Sequence, residues 1–366
     1  MKAVRILLIG ASGVFGSRIA RGLDLEQGID LTLSGRSKAS LQKMSSGLAK
    51  ITAIVQLNRD TLTAADLAGY DLVIDAAGPF QASHTNVIEA AIAARCHYID
   101  LADGREFLAV IDGFDAAARE AGVAVISGAS SIPALSHAVI DDLVQGWQRI
   151  DTIRIGIFPG NRAPRGRAVV EAILSYVGKP VRIFREGVWQ SHPGWGKTHR
   201  TDIPGIGKRW ASICDTPEQD LLVKRYHPIR SAEFFAGMEL SLLHLGLAAL
   251  AQPVRLGIIS TLRPAAGILL WMAKLLLPFG SDKGAMDVQV GGVNADGSSV
   301  KGRWTLQADA NRGPYVPTLA ALVLARKLRD EGTLQIGAMP CSGIIKLNEF
   351  GADFERLGIK TAADSG

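Results

Sequence analysis

The feature that most constrains the fold is an apolar run that ends in a glycine-rich turn and leads into a helix. Val4–Ile9 predicts a buried strand, Gly10–Gly16 (GASGVFG) predicts the turn, and helical periodicity continues to Leu23. Such a connection leaves backbone N–H groups pointing at the turn, where a pyrophosphate accepts them. Gly10 allows the tight turn, Gly13 the close approach of phosphates, and Gly16 the contact between helix and strand. The spacing is a variant of G-x-G-x-x-G and therefore less specific, so an ordinary strand-to-helix turn is the alternative.

The end of the second predicted strand indicates which dinucleotide binds. Ile29–Leu33 is followed by Ser34–Lys38 (SGRSK), which contains no carboxylate. NAD binders place an acid here to accept the ribose hydroxyls, whereas NADP binders place a cation for the 2′-phosphate. Arg36 supplies a planar guanidinium suited to a phosphate, and Lys38 adds a second cation. The predicted cofactor is NADP, with a solvated basic turn as the alternative.

Composition narrows the class of protein. The 366 residues are enough for two domains, and the net charge of +5 is spread along the chain. No array of basic and aromatic residues indicates a nucleic-acid partner. Cys96, Cys214 and Cys341 are isolated from one another, which indicates a reducing compartment and offers no metal-ligand spacing. Glycine ends the first apolar run early, so we interpret it as a strand and not a signal peptide. A cytoplasmic protein without a metal site is expected.

Strands and helices alternate through the first part of the chain. Further strands are predicted at 52–56, 71–75, 97–100 and 123–126, with a helix spanning 105–121. This alternation predicts an α/β fold with a doubly wound parallel Rossmann sheet. Ligands gather at the carboxyl ends of such strands. The segments expected at that edge are Gly10–Gly16, Arg36, Ala76–Phe80, Asp100–Asp103 and Ser127–Pro133.

Several motifs in this part resemble one known family. Asp71–Phe80 (DLVIDAAGPF) and His97–Asp103 (HYIDLAD), together with Gly10–Gly16 and Gly35-Arg36, resemble the saccharopine dehydrogenase NADP-binding-domain family. The resemblance extends over roughly residues 1–140. It implies a reductase acting on imines of amino acids or polyamines, although lipid-linked members, including enoyl reductases, are also known. It further implies that the Ala-Ala-Gly-Pro-Phe loop lies near the cofactor and that Tyr98 and Asp100 lie near the nicotinamide.

The second half is less regular. Strands are predicted at 151–158 and 181–190, a helix at 166–177, and a hairpin from 286–292 and 298–308 around Asn294–Gly297. A second α+β domain with a mainly antiparallel sheet would serve for substrate binding and dimerisation. The predicted domains are 1–130, with a return helix within 314–350, and 131–313. The resemblance implies the return helix and a homodimer.

Hydride transfer requires a group that protonates or polarises the atom beside the reacting carbon. Asp100 and Tyr98 are the predicted catalytic residues. Asp103 is interpreted as a helix cap, and His137 as more often structural than catalytic. The hydroxyls of Ser130 and Ser131 either bind the cofactor carboxamide or substrate, or form a plain turn before Pro133. The predicted cofactor-binding residues are Gly10, Ser12, Gly13, Val14, Phe15, Gly16, Ser34, Gly35, Arg36, Lys38, Ala77, Gly78, Pro79, Phe80 and Ser130.

Two substrate classes compete. The clustered Arg162, Arg165 and Arg167, with a polar loop at 191–200 as a lid, would suit a carboxylate-rich imine. The apolar segment Leu256–Phe279 would suit a lipid-like enoyl compound, or a peripheral membrane contact with Trp271 and Lys274 as anchors. Charged residues and a proline interrupt this segment, which makes it a poor candidate for a spanning helix. A core or dimer-interface helix is the alternative.

Together these patterns predict an NADP-dependent oxidoreductase that transfers hydride between NADPH and a small-molecule C=N or C=C substrate. The alternative is a non-catalytic NADP-binding protein that docks on a membrane or a partner through its apolar segment.

Overall fold

Two sheets, one in each of two structural units, organise the chain. The computed structural model describes residues 3–50, 52–164 and 166–365. The first unit comprises Met1–Leu135 and Pro314–Ile345, and the second comprises Ser136–Gly313 and Lys346–Gly366.

The strands and helices follow in chain order. The strands are β1 (Val4–Ile9), β2 (Ile29–Gly35), β3 (Ala53–Gln56), β4 (Leu72–Asp75), β5 (His97–Asp100), β6 (Ala124–Ser127), β7 (Trp147–Phe158), β8 (Pro180–Arg185), β9 (Val188–Pro193), β10 (His199–Ile203), β11 (Gly207–Ile213), β12 (Ser231–Ala236), β13 (Gly284–Asn294), β14 (Ser299–Ala308), β15 (Gly337–Pro340) and β16 (Lys360–Ser365). The helices are α1 (Gly16–Asp24), α2 (Lys38–Ser45), α3 (Asn86–Ala93), α4 (Arg105–Ala109), α5 (Asp115–Ala121), α6 (Ser136–Leu143), α7 (Arg167–Tyr176), α8 (Glu218–Tyr226), α9 (Ser241–Arg255), α10 (Ala266–Leu275), α11 (Leu319–Glu331) and α12 (Gly351–Leu357).

The first unit is built on a seven-stranded parallel sheet in the order β15-β6-β5-β4-β1-β2-β3. This is the doubly wound order, in which the chain reverses direction across the sheet after β3. All residues of β4 and β6 are buried, as expected for parallel strands covered on both faces. The predicted α/β fold with a doubly wound parallel sheet is confirmed.

No strand was predicted for β15, the seventh strand of this sheet. The strand has only four residues, begins with glycine and ends with proline, so it carries no apolar run. Tertiary contacts define it: β15 pairs with β6, and the N–H of Ala338 donates to Asp115 Oδ1 at 3.0 Å.

Helices of this unit also differ in detail from the prediction. The single helix predicted over 105–121 is wrong, because a 3-10 turn at Ile111–Phe114 separates α4 from α5. The late helix α11 packs against α1, where Gly22 leaves room for Leu322. Glu26 holds the two segments together through Arg326 at 3.2 Å and Arg329 at 2.6 Å.

The second unit contains a nine-stranded, mainly antiparallel sheet. Seven of its strands follow the order β10-β11-β12-β7-β13-β14-β16, and β8 pairs both with β12 and with β9. Only the β12–β7 pairing is parallel among the described strands of this sheet. The β13–β14 hairpin forms where it was predicted. Phe158, Ile183 and Phe235 lie in its buried core.

Two predictions for this unit are wrong. The strand predicted over 181–190 is the hairpin β8–β9, because Glu186 and Gly187 both adopt positive φ, of 55° and 77°, and reverse the chain. The segment 191–200 is not a free polar loop. It joins β9 to β10 through Trp195, which is 2% exposed and whose N–H donates to the Ile213 carbonyl at 2.8 Å. Among the described residues, no helix is long and apolar enough to cross a membrane.

Candidate nucleotide-binding site

The glycine turn between β1 and α1 presents free backbone donors. The backbone N–H groups of Ser12, Val14, Phe15 and Gly16 have no acceptor among the described residues. No described side chain caps α1 either, and the first turn of this helix contains no acidic residue. A helix N-terminus with uncapped donors binds anions by hydrogen bonding and by its dipole.

Two glycines of this turn are needed for its shape. Gly10 has a φ of +76°, the left-handed region that favours glycine. A Cβ on Gly16 would lie 2.1 Å from the Gly10 carbonyl oxygen, so any side chain there would push α1 away from the turn. A Cβ on Gly10 would lie 3.0 Å from the backbone of Ala76 and Ala77, which places the end of β4 directly beside the turn.

Arg18 supports the turn from within α1. Its Nη1 donates to the carbonyl of Val14, and its guanidinium lies 5.0 Å from the centre of the Tyr315 ring. The sequence analysis did not identify this residue. Its position two residues after the last glycine, on a helix that begins at a candidate phosphate site, was the available signal.

The end of β2 lies on the other side of the glycine turn. The Ser34 carbonyl accepts from the Ala11 N–H at 3.0 Å, whereas the buried Ser34 hydroxyl has no partner among the described residues. Arg36 and Lys38 are exposed, and no described residue forms an ion pair with Arg36. Ser37 caps α2 by accepting from the Ser40 N–H at 3.3 Å. The edge therefore offers cations and hydroxyls without a competing carboxylate.

The loop after β4 is held by an arginine that the sequence analysis missed. Arg59 Nε donates to Asp75 Oδ2 at 2.6 Å, and its guanidinium lies 5.3 Å from the centre of the Phe80 ring. Phe80 also packs on Phe107, with ring centres 5.3 Å apart, and is buried. Ala77, Gly78 and Pro79 are at least partly exposed, so they form the accessible part of this loop. Arg59 lies three residues after the last residue of β3, and this place just beyond the carboxyl end of a parallel strand was the signal for it.

Three polar residues end neighbouring strands and form a buried polar row, Asp75, Asp100 and Ser127. Asp75 lies opposite Asp100 between β4 and β5, and Ser127 follows the residue of β6 that pairs with β5. Asp100 accepts from the Ser127 hydroxyl at 2.8 and 2.9 Å, from the Gly128 N–H at 2.8 Å and from the Ala102 N–H at 2.9 Å. All three side chains are fully buried.

Burial raises the pKa values of Asp100 and of its neighbour Tyr98. It raises the pKa of Asp100 to about 6, against the hydrogen bonds from Gly128, Ala102 and Ser127, which lower it. Burial also raises the pKa of Tyr98 well above its usual value, and the nearby carboxylates of Asp100 and Asp75 add to this effect. Such a cluster of shifted pKa values is typical of functional sites, but buried structural networks produce it too.

The structure thus brings together the turn Gly10–Gly16, the β2 end and the loop at 77–79. Ser130 lies farther along the same edge: it follows β6, three strand positions from β1, and its backbone N–H donates to the Gly128 carbonyl at 2.7 Å. Asp103 does not cap α4, because Gly104 holds that position; Asp103 instead accepts from Gln81 Nε2 at 3.0 Å.

Three candidate functional residues of the second unit, Arg162, Arg167 and His137, interact with other residues of that unit. Arg167 pairs with Glu171 at 2.7 Å, and Arg162 donates to the Pro278 carbonyl at 3.3 Å. Arg165 lies outside the described residues. His137 is fully buried, and its Nε2 lies 3.2 Å from Glu218 Oε2.

Comparison with known proteins agrees with the geometry of the first unit. Residues 6–139 match the family model described as saccharopine dehydrogenase NADP binding domain. Apo saccharopine dehydrogenase (L-Glu forming) from Saccharomyces cerevisiae has a similar structure, with a TM-score of 0.71 and 14% identity over 100% of both chains. The homospermidine synthase from Legionella pneumophila, solved with NAD, has a TM-score of 0.60 and 10% identity over 99% of this chain and 91% of that one. No curated protein sequence matches. At these identities the two structures show a shared fold.

Proposed function

We propose that this chain, which carries a saccharopine dehydrogenase-type NADP-binding domain in residues 6–139, is an NADPH-dependent reductase of a small molecule with a C=N or C=C bond. NADPH supplies the hydride when bound. The observation that carries the proposal is the glycine turn: four of its backbone donors have no acceptor among the described residues, and Arg36 and Lys38 beside it form no ion pair with any of them.

Each segment at the carboxyl edge of the seven-stranded sheet has a separate role in holding the nucleotide. The N–H groups of Ser12, Val14, Phe15 and Gly16 bind the pyrophosphate, and Gly10 and Gly16 keep side chains out of its way. The loop at 77–79 borders the same turn and orients the nicotinamide half.

Preference for NADP over NAD rests on the β2 end. The exposed side chains of Arg36, Ser37 and Lys38 supply donors for a 2′-phosphate, and no acid is present there to accept ribose hydroxyls. The Legionella pneumophila structure contains NAD, so both nucleotides belong in every assay.

The buried polar row has a positioning role in this proposal. Asp100 ties the ends of β5 and β6 together through its three donors, and Tyr98, two residues earlier in β5, is fully buried. The catalytic role predicted for Asp100 and Tyr98 remains a prediction that needs both side chains to become accessible to substrate. Replacement of Asp100 by Asn is expected to preserve hydride transfer if positioning is its role.

The decisive experiment follows deuterium from C4-labelled NADPH into product, with amino-acid imines, polyamine imines and enoyl thioesters as substrates. Labelled product with any substrate, absent in Gly16→Ala and present in Gly113→Ala, supports the proposal. Gly113 is a matched control because a Cβ there meets nothing within 4 Å. Tight NADPH binding without label in any product favours the non-catalytic alternative.

A further inference from the structure

Helix α10 exposes the apolar face that a helix normally buries. Ile268, Trp271, Met272 and Leu275 are spaced i, i+3, i+4 and i+7, so they form one stripe along the helix. Their exposed fractions are 65%, 60%, 45% and 56%. These four residues are named the α10 stripe. Ala266 is the only described residue of α10 that is buried.

The exposed apolar surface continues on both sides of α10. Leu256 and Ile258 precede it with exposed fractions of 71% and 72%, and Phe279 follows it at 74%. Of the eighteen large hydrophobic side chains exposed in the described part of the chain, twelve lie between Leu242 and Phe279. Single exposed apolar residues are ordinary, but such a concentration indicates an interaction surface.

The charges in this segment all have one sign. From Leu240 to Ser281 the sequence contains no Asp and no Glu, whereas it contains Arg255, Arg263 and Lys274. All three cations are exposed. An apolar stripe bordered by cations complements an anionic lipid surface, because apolar side chains enter the acyl boundary while Lys and Arg reach the headgroups. Trp271 suits the same boundary, since indole has a large apolar body and one polar N–H.

The same charges disfavour a second copy of this chain as the partner. A twofold interface places identical surfaces against each other. The three cations of one segment would then face the three of the other, and neither segment holds a carboxylate to pair with them. Burying like charges without partners is strongly unfavourable.

A spanning arrangement does not fit this segment. Helix α10 has 10 residues, a length of about 15 Å at 1.5 Å per residue, against a hydrocarbon core of roughly 30 Å. A helix of this length with an apolar stripe and flanking cations lies in the plane of the headgroups.

We propose that the α10 stripe, with Leu256, Ile258 and Phe279, docks this chain on the surface of an anionic lipid bilayer. This proposal is independent of the proposed reductase activity, because its residues lie in the second unit and its test requires no nucleotide.

The test is flotation of the full chain with phosphatidylcholine vesicles and with mixed phosphatidylcholine–phosphatidylglycerol vesicles. Selective flotation with the mixed vesicles, weakened by added salt, is the expected result. Ile268→Gln and Trp271→Gln should each reduce the partition coefficient by about tenfold, the equivalent of one lost apolar side chain. Lys274→Gln should reduce it by roughly fivefold.

Leu25→Gln is the matched control, because Leu25 is as exposed as Ile268 (64% against 65%) but lies in the first unit. It should float like the parent protein, and all variants should keep the parent's unfolding transition. The proposal is overturned if the parent protein does not float with the mixed vesicles, or if Ile268→Gln floats as well as the parent protein. A dimer that Trp271→Gln dissociates, without vesicle binding by the parent, would identify a second copy as the occupant instead.

Discussion

The two halves of one sheet edge use polar residues in opposite ways. At the ends of β1 and β2, several backbone donors and the Arg36 guanidinium have no partner among the residues that the structure describes. At the ends of β4, β5 and β6, the carboxylates of Asp75 and Asp100 are buried and already accept several hydrogen bonds. The first half is therefore suited to bind an anion, and the second half to hold the edge in shape. Polarity at a strand end does not by itself identify a binding residue, because its partners decide the role.

Removal of Arg59 should have the largest effect on stability. Arg59→Ala leaves Asp75 buried without its cation, and breaking a buried pair on one side lowers the free energy of unfolding by about 3–5 kcal/mol. Urea denaturation measures this loss. Arg36→Ala removes an exposed arginine that forms no ion pair within the described part of the chain, so it should change the free energy of unfolding by less than about 0.5 kcal/mol. Equal losses of unfolding free energy in Arg59→Ala and Arg36→Ala would contradict the distinction between the two halves of the edge.

The second prediction concerns pH and Asp100. Its folded-state pKa of about 6 lies above the ordinary value of 3.8, so the folded protein binds this proton more tightly than the unfolded chain. Its contribution is therefore fully present below pH 3.8 and is lost as the pH rises through about 6. The expected loss is about 3 kcal/mol. The difference in unfolding free energy between the parent protein and Asp100→Asn, measured across this range, isolates the contribution. A constant difference would show that Asp100 does not titrate there.

The third prediction concerns Gly16, in the half of the edge formed by the ends of β1 and β2. It measures NADPH binding and the free energy of unfolding separately. Gly16→Ala places a Cβ 2.1 Å from the Gly10 carbonyl oxygen, so the turn must shift. The free energy of unfolding should fall by about 1–3 kcal/mol, and NADPH affinity should fall at least about tenfold, because the phosphate donors move together. Isothermal titration and urea denaturation report the two quantities. NADPH binding by Gly16→Ala at the parent's affinity would place the nucleotide elsewhere.

The sequence predicted those elements whose signals are local. The strand, glycine turn and helix at Val4–Asp24 follow from an apolar run, a chain reversal and a 3.6-residue period within one short segment. In contrast, β15 has no apolar run, and it becomes a strand only because β6 and Asp115 bind its backbone.

The sequence likewise predicted only the local features of the candidate site. The position of Asp100 at a strand end is visible in the sequence. Two of its three donors, the Ser127 hydroxyl and the Gly128 N–H, lie 27 and 28 positions away, and only the fold brings them to it. The same limit applies to α10, because periodicity indicates an apolar face and cannot show whether that face has a partner.

The most direct test of the account is a paired titration of NADPH and NADH with the parent protein, Arg36→Ala and Lys43→Ala. Lys43 is an exposed cation on the same helix that follows the β2 end, so it controls for net charge. The account predicts tighter binding of NADPH than NADH, a roughly tenfold to hundredfold loss of NADPH affinity in Arg36→Ala alone, and little change for NADH. Equal loss for both nucleotides, or no binding of either by the parent protein, would contradict it.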